Sequence, residues 1–449
     1  MVLKANSRIL HLRGDIRHRA YENAREILDK IQSYSDIFAR ENRSGKVSGW
    51  TVAVHSAFAF LQSYVLKRGF LDGYEGLMVA VTSANHTFYK YAKLREQGFR
   101  NLLGKRIIIT RTDNLGDVML TLPMVGYLRT VVPDAHITFV GRSYTRPILE
   151  QCKNVDRFLD RDEVLKNPSI LTENQPDTIF FVFPDRALAR IAKESCIRTR
   201  VATSHRIFNW WYCNIRVNFS RIRSPLHERQ LKLKLLRPFR IEREFETDDL
   251  IPFYGLQPPV DDFSHLLDKD KINLILHPKS KGSAREWSAS NFITLAQSFS
   301  PATHKIIITG LSDEGQALRI AAPELFGLDH VVDLTGRLDL RQLTSFISQA
   351  DVLVACSTGV LHLAAAVGIR CIGLYVALHP IHPGRWRPVG IQARYVLSRE
   401  SCSSCSGIAT CACIAEITPE RVKKEIEMMF EKSKHVFGEN ESSLPATTS

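Results

Sequence analysis

Arg106-Ile-Ile-Ile-Thr-Arg-Thr-Asp-Asn-Leu-Gly-Asp117-Val-Met-Leu-Thr-Leu-Pro123 is the stretch that decides the fold. Ile107 to Ile109 reads as a short buried strand. A polar turn with Asn114 and Gly116 follows. Val118, Leu120, Leu122 and Val125 then lead into a helix running to about Arg129. After Pro133-Asp134-Ala135 comes a second β-rich run, Ile137-Thr-Phe-Val140. Strand, helix, strand is the opening of a parallel open sheet. Such sheets bind ligands at the carboxyl ends of their strands, where Asp117 falls. A carboxylate at a helix start is held ionised by the helix dipole and can serve as a base at neutral pH. The simpler alternative is that Asp117 only caps the helix.

Working outward, residues 104 to about 255 read as one α/β domain. Arg157 to Asp160 and Asp177 to Phe183 supply further strands, and a helix begins at Arg186. Asp160-Arg-Asp162 imitates an acidic metal motif, but it more simply caps a helix over Glu163 to Lys166. Ile207-Phe-Asn-Trp-Trp211 precedes a basic segment, Arg221 to Arg243, containing Leu226-His227-Glu228. That segment is either a dock for an acidic acceptor or a solvated basic face.

Three prolines between Pro252 and Asp262 mark a linker. A second α/β domain, 263–415, starts with the strand Ile272 to Leu276. Helix Ser290 to Ser298, strand Lys305 to Gly310, strand Val331-Val332, helix Asp339 to Ser348, strand Asp351 to Val354 and helix Thr358 to Val367 follow. Cys371 to Tyr375 is expected to close the sheet. Two loops in this domain carry chemistry. His277-Pro-Lys-Ser-Lys-Gly-Ser-Ala-Arg-Glu-Trp287 puts Lys279, Ser280, Lys281, Gly282 and Arg285 at a strand end, a set of small donors and cations that suits a diphosphate. Ser357-Thr358-Gly359, with His362 one turn on, opens a helix of small residues whose free amides suit phosphate. Each loop alone could be a plain turn with a cap. Together they point to a nucleotide-diphosphate site.

Composition sets the outer bounds. The 449 residues leave room for two or three domains. The net charge of +13 points to an acidic partner: phosphorylated ligand, anionic membrane or nucleic acid. Nucleic acid is disfavoured, because the bases are spread without a recognition pattern. No run of 18 clean apolar residues and no secretory signal are expected. Nine cysteines, mostly scattered, fit a reducing compartment. Cys402, Cys405, Cys411 and Cys413 cluster; they read either as a zinc site with an unusually short gap or as a metal-free cysteine-rich loop. Thr418-Pro-Glu begins a terminal helix, 416–434, and 435–449 reads as a disordered tail.

Residues 1–100 differ from the rest. They hold 16 Lys+Arg against 9 Asp+Glu, so +7 of the total charge sits there. Helical spacing runs over Ala20 to Ala39, Val52 to Leu66 and Leu77 to Tyr91, with aromatics interleaved among bases. The pattern fits either docking on an anionic membrane surface or an ordinary helical packing domain. Lys67-Arg-Gly-Phe-Leu-Asp-Gly73 and Phe88-Tyr-Lys-Tyr-Ala-Lys-Leu94 resemble the C-terminal tail of family-2 glycosyltransferases that build the lipopolysaccharide core. The nucleotide-binding part of that family has no counterpart upstream.

The larger part of the chain resembles another family. Gly116-Asp117 with Leu122-Pro123, the loop ending Arg285-Glu-Trp287, Thr309-Gly310 with Glu314, and Ser357-Thr-Gly-Val-Leu-His362-Leu-Ala-Ala-Ala366 occur in that order. Over about 104–432 the chain is similar to family-9 glycosyltransferases, the ADP-heptose:lipopolysaccharide heptosyltransferases. The resemblance implies the GT-B fold, two Rossmann-like doubly wound domains facing a cleft, here with a helical N-terminal extension. In that fold the terminal helix returns to the first domain. It also implies an inverting, metal-independent enzyme with no cofactor beyond an ADP-heptose donor. The implied acceptor is a lipopolysaccharide core or lipid-linked sugar, and the implied place is the cytoplasmic face of the inner membrane. By motif, Asp117 would be the general base. Ser280, Lys281 and Arg285 would hold the diphosphate, Glu314 the nucleoside, and Thr358, Gly359 and His362 the diphosphate and sugar. The family usually has Lys at position 285 and often Asp at position 357, so Ser357 leaves a different donor sugar open. A non-catalytic remnant of a gene fusion is the alternative from another class; the intact Gly116-Asp117 and His362 motifs argue against it.

Overall fold

The computed structural model describes residues 23–42, 47–221, 224–282, 284–379, 381–399 and 412–438. Contacts divide the chain into two compact units, 1–101 and 102–449.

The larger unit contains two six-stranded, wholly parallel sheets. The first comprises β1 (Arg106–Thr110), β2 (His136–Gly141), β3 (Arg157–Asp160), β4 (Thr178–Phe181), β5 (Thr199–Thr203) and β6 (Ile215–Val217), in the order β3-β2-β1-β4-β5-β6. The second comprises β7 (Ile272–His277), β8 (His304–Ile308), β9 (Val331–Asp333), β10 (Val352–Cys356), β11 (Arg370–Tyr375) and β12 (Ala393–Leu397), in the order β12-β11-β10-β7-β8-β9. Each half starts with its central strand, builds outward on one side, then returns to build on the other. That is the same doubly wound topology twice, the expected pair of Rossmann-like halves. Ile107, Ile108 and Ile109, and likewise Leu274, Ile275 and Leu276, are buried, as central parallel strands covered on both faces require.

The order reverses between β1 and β4, where Thr110 pairs with Phe181, and between β7 and β10, where His277 pairs with Ala355. Ligand crevices of open sheets form at such points. The two halves share apolar core: Leu122 and Val125 of the first belong to one cluster with Leu361 and Ala365 of the second.

Several expectations need correction. The helix after β1 is broken in two, Leu115–Met119 and Leu122–Val131. The second sheet closes with β12, not with the strand at Cys371 to Tyr375. The terminal helix runs Pro419–Gly438, so the first residues of the expected tail are helical. Its described contacts are with the second half: Val422, Ile426 and Met429 pack with Phe292 and Phe299, and Lys423 Nζ donates to the Ser298 carbonyl at 2.8 Å. Asp160 takes the capping option, accepting from the amides of Asp162 and Glu163 at 2.8 and 3.1 Å.

The smaller unit is helical: Ala24–Glu41, Gly49–Leu61 continuing as a π turn to Leu66, a short turn Gly69–Asp72, and Gly73–Leu103. Its helices touch through Lys93–Asp36 at 2.7 Å and the stacked rings of His55 and Tyr91 at 4.5 Å. Arg68 and Gly73 adopt positive φ, 57° and 58°, which lets the chain reverse. Among the described residues, no helix is long and apolar enough to cross a membrane.

Candidate active site

Two helix starts meet at the join between the halves. One is Leu115–Met119, which follows β1; the other is Gly359–Val367, which follows β10. Glycine makes the approach possible. A Cβ on Gly359 would lie 2.9 Å from the Gly116 nitrogen and from Leu115 Cβ, and one on Gly116 would lie 3.1 Å from His362 Cδ2. A side chain at Gly359 would force the halves apart. This contact brings Asp117 of the first half to the helix start of the second.

Asp117 does not cap its helix. Its carboxylate is ion-paired with Arg111, which is 1% exposed and also bonds Asp113 at 2.6 Å. Lys232, equally buried, donates to the Asp117 main-chain carbonyl at 2.9 Å and stands 3.9 Å from its carboxylate. Two basic side chains therefore face the Asp117 carboxylate, Arg111 from its own turn and Lys232 from a distant segment. Burial, with repulsion from Asp117, pushes the Asp113 carboxyl up against the pull of Arg111. Burial and the nearby Arg111 bring Lys232 down to about 7, so its charge responds to the site near neutral pH.

Lys232 belongs to a short helix, Glu228–Leu233, capped by His227. His227, Glu228, Arg229 and Lys232 are all buried. This part of the basic segment is thus not a solvated face, whereas Arg237, Arg240 and Arg243 further on are exposed. Glu228 sits between Arg221 and Arg385, the latter at 2.9 Å and belonging to the second half. Arg385 also donates to the Arg221 carbonyl at 2.9 Å. Burial opposes the Glu228 charge, but Lys232, Arg221 and Arg385 outweigh it and hold the carboxyl below its usual range. Arg111, Asp113, Lys232, Glu228 and Arg385 are site residues that sequence reasoning did not pick out. The Glu228/Lys232 pair, four apart on one helix face, was the available signal.

Beside this network lies a cavity of about 580 Å³ at the carboxyl ends of β4, β5 and β6. Its walls include His205, Arg206, Arg221, Lys232, Arg385 and Trp386.

The remaining expected residues lie in the loops and helix starts that follow β7, β8 and β10. The loop after β7 turns sharply at Lys281 and Gly282, whose φ values are 49° and 74°, and both are exposed. Ser280 is buried, and its amide and hydroxyl both bond Glu286, at 2.9 and 3.0 Å; the hydroxyl braces the loop. Arg285 is 6% exposed, and among the described residues it makes no hydrogen bond or ion pair; its Nε is buried without a partner. A buried guanidinium in that condition is costly unless a ligand anion completes it. Thr358 caps the helix, accepting from the Leu361 amide at 3.4 Å, with Ser357 immediately before it at the end of β10. His362 is buried, its Nδ1 has no partner among the described residues, and burial together with Lys232 and Arg229 lowers it to about 3. It is therefore a neutral donor or acceptor, not a cation. Glu314 accepts from the Leu311 amide at 2.8 Å, closing a capping box at the helix after β8. Of the cysteine cluster, Cys402, Cys405 and Cys411 lie outside the described residues, and Cys413 is buried in the second core.

The geometry thus offers a carboxylate held between cations, an uncompensated buried arginine and a nine-residue helix start. Proton abstraction next to a bound anion is within its means.

Residues 197–412 match the model of "Glycosyltransferase family 9 (heptosyltransferase)". A Haemophilus influenzae protein provisionally described as a glycosyltransferase is 24% identical over 301 residues, 64% of this chain and 86% of that one. The lipopolysaccharide core heptosyltransferase OpsX of the same organism is 24% identical over 135 residues, 29% of this chain and 38% of its own. The structure of Escherichia coli ADP-heptose lps heptosyltransferase II superposes with a TM-score of 0.57 at 18% identity, covering 74% of this chain and 99% of that one.

Proposed function

We propose that this chain, a glycosyltransferase of the family-9 type, transfers a heptose or closely related sugar from an ADP-linked donor to a lipopolysaccharide core acceptor, with inversion and without a metal. The observation that carries the reading is the buried Arg285 in the loop after β7, whose Nε has no partner among the described residues. The turn that carries Asp117 meets the helix start of that same half. The relatives' heptosyltransferase names support the donor class.

In this reading an acceptor hydroxyl enters from the cavity at the carboxyl ends of β4, β5 and β6. Asp117 takes its proton. The freed oxygen bonds to the anomeric carbon from the face opposite the diphosphate, and the bond to the diphosphate oxygen breaks with its electron pair leaving on ADP. The new negative charge falls to Arg285, the exposed Lys281 and the amides at Gly359. Neutral His362 offers a hydrogen bond to the donor. Ser280 and Glu314 hold the loops that shape the donor site rather than lending free groups. After proton uptake Asp117 becomes neutral, and Lys232 limits the resulting rise in local positive charge by its readiness to lose a proton near neutral pH.

Arg285→Ala should weaken ADP binding by about 1–3 kcal/mol, roughly five- to 150-fold, because it removes a charge-assisted donor. Calorimetric titration in the presence of EDTA checks both points at once. Unchanged affinity in the variant would remove Arg285 from the diphosphate, and binding abolished by EDTA would end the metal-free reading.

The smaller unit supports docking at an anionic membrane surface. Trp50, Val54, Phe58, Leu61 and Val65 follow one another at helical spacing and are all exposed. Gly49 to Leu66 contains no Asp, Glu, Lys or Arg and ends at Lys67-Arg68. An apolar stripe ending in cations suits the headgroup boundary. Trp50→Ser with Phe58→Ser in the full chain should reduce co-sedimentation with phosphatidylglycerol vesicles at least tenfold. Raising salt should weaken wild-type binding. Equal binding by the variant would sink this role.

A further inference from the structure

The helix Ile207–Tyr212 follows β5 and leads to β6, at the carboxyl end of the first sheet. It is only six residues long, and its two faces differ sharply. Phe208 and Tyr212 pack on the apolar cluster beneath. Ile207, Trp210 and Trp211, at i, i+3 and i+4, form the other face and are 73, 59 and 62% exposed. Two neighbouring exposed tryptophans are expensive to leave in water and are not explained by the core. Trp210 is held in place: its Nε1 donates to the Ser204 carbonyl at 3.0 Å, and the Arg216 guanidinium lies 4.5 Å over its ring. The patch is therefore a built surface.

Its surroundings are cationic. Arg186, Arg190, Lys193 and Arg206 are exposed on the adjoining helix Arg186–Glu194 and the loop before the patch, with Glu194 the one acid on that helix. Lys193 Nζ donates to the Trp211 carbonyl at 2.9 Å. The patch also adjoins the 580 Å³ cavity, because His205 and Arg206, which line it, immediately precede the helix.

We propose that Ile207, Trp210 and Trp211 are a bilayer-contacting surface at the cavity mouth, by which the catalytic unit itself meets an anionic lipid surface. Tryptophan rings settle at the headgroup level, isoleucine enters the acyl boundary, and the surrounding cations meet anionic headgroups. The consequence rests on the cavity being the acceptor site: an acceptor could then pass from the bilayer into the cavity without its lipid anchor leaving the membrane. The lipid contact itself does not depend on that reading. It also involves other residues than the apolar stripe of residues 50–65.

The test uses the full chain and vesicles of phosphatidylcholine with or without phosphatidylglycerol. Ile207→Ser with Trp211→Ser should cut flotation with phosphatidylglycerol vesicles at least tenfold. Melting should stay near wild type, because both side chains are already in solvent. Arg186→Glu with Arg190→Glu should remove the preference for anionic vesicles while leaving the aromatic patch intact. Flotation unchanged in the first variant would overturn the proposal. So would wild-type dimerisation that the first variant abolishes while neither protein floats, since the patch would then be covering a second copy. None of these readouts involves Asp117, ADP or turnover, so they stand or fall apart from the transferase assignment.

Discussion

Asp117→Asn should lower turnover by about a hundredfold or more, the scale of losing a positioned general base. The substitution keeps the shape of the side chain and removes the acceptor of the proton. The structure adds a qualification to this experiment. Asp117 is also a structural anion, paired with the buried Arg111 and close to Lys232. Some loss of stability is expected, limited because Arg111 retains Asp113 at 2.6 Å. ADP titration separates the two effects. Affinity for ADP should stay within a few-fold of wild type, because Asp117 is on the acceptor side of the join. A variant that binds ADP normally and turns over normally would remove Asp117 from the chemistry.

Glu228→Gln should cost about 3–5 kcal/mol of stability, the usual penalty for removing one partner of a buried ion pair. Glu228 is 1% exposed and faces Arg221 from its own half and Arg385 from the other. Loss of its charge leaves two guanidiniums and Lys232 without their shared anion. The effect has a pH signature. The Glu228 carboxyl is held below its ordinary value of 4.5, so its stabilisation is fully present above that value and is lost as pH falls through the folded one. Buried His362 is held at about 3 against an ordinary 6.5, and His277 at about 4, so each loses stability earlier, as pH drops from 6.5. Wild type and variant should therefore weaken in parallel between pH 6.5 and 4.5. Below that, wild type should fall more steeply. Melting curves across this range check the prediction; equal stability at pH 7, or identical slopes below 4.5, would contradict it.

The β1 region was readable because Ile107 to Ile109 and Ile137 to Val140 are apolar runs broken by at most one polar residue and bounded by turn residues. The same holds for Ile272 to Leu276 and Val352 to Val354. The strands β5, β6 and β12 escaped because each carries an arginine: Arg200, Arg216 and Arg394. Local structure absorbs those charges. Arg200 Nε donates to the Tyr212 carbonyl at 2.7 Å, Arg216 to the Cys213 carbonyl at 2.6 Å, and Arg394 pairs with Glu425 at 3.3 Å. β6 and β12 are also sheet edges, where one-sided pairing weakens the apolar pattern.

The site was legible in its motifs and illegible in its charges. Gly116, Asp117 and Ser357 to His362 stood out as turn-and-helix starts at strand ends. Nothing local could show that Glu228 to Leu233 folds inward, because the partners of its charges are distant: Arg385 lies 157 positions from Glu228, and Asp117 lies 115 positions from Lys232. A basic run looks solvated until its distant partner is placed. Likewise, Arg285 looked like one of several cations in its loop. Only burial without a partner sets it apart from Lys279, which Glu286 neutralises at 3.0 Å.

In the proposed reaction, sugar moves from an ADP-linked donor held by Arg285 to an acceptor deprotonated by Asp117. The most direct measurement is release of ADP from ADP-heptose by the full chain, with and without heptose-deficient lipopolysaccharide. Release that requires the acceptor, falls about a hundredfold or more in Asp117→Asn and persists in EDTA is the predicted result. Release that ignores the acceptor, or that Asp117→Asn leaves untouched, would contradict it.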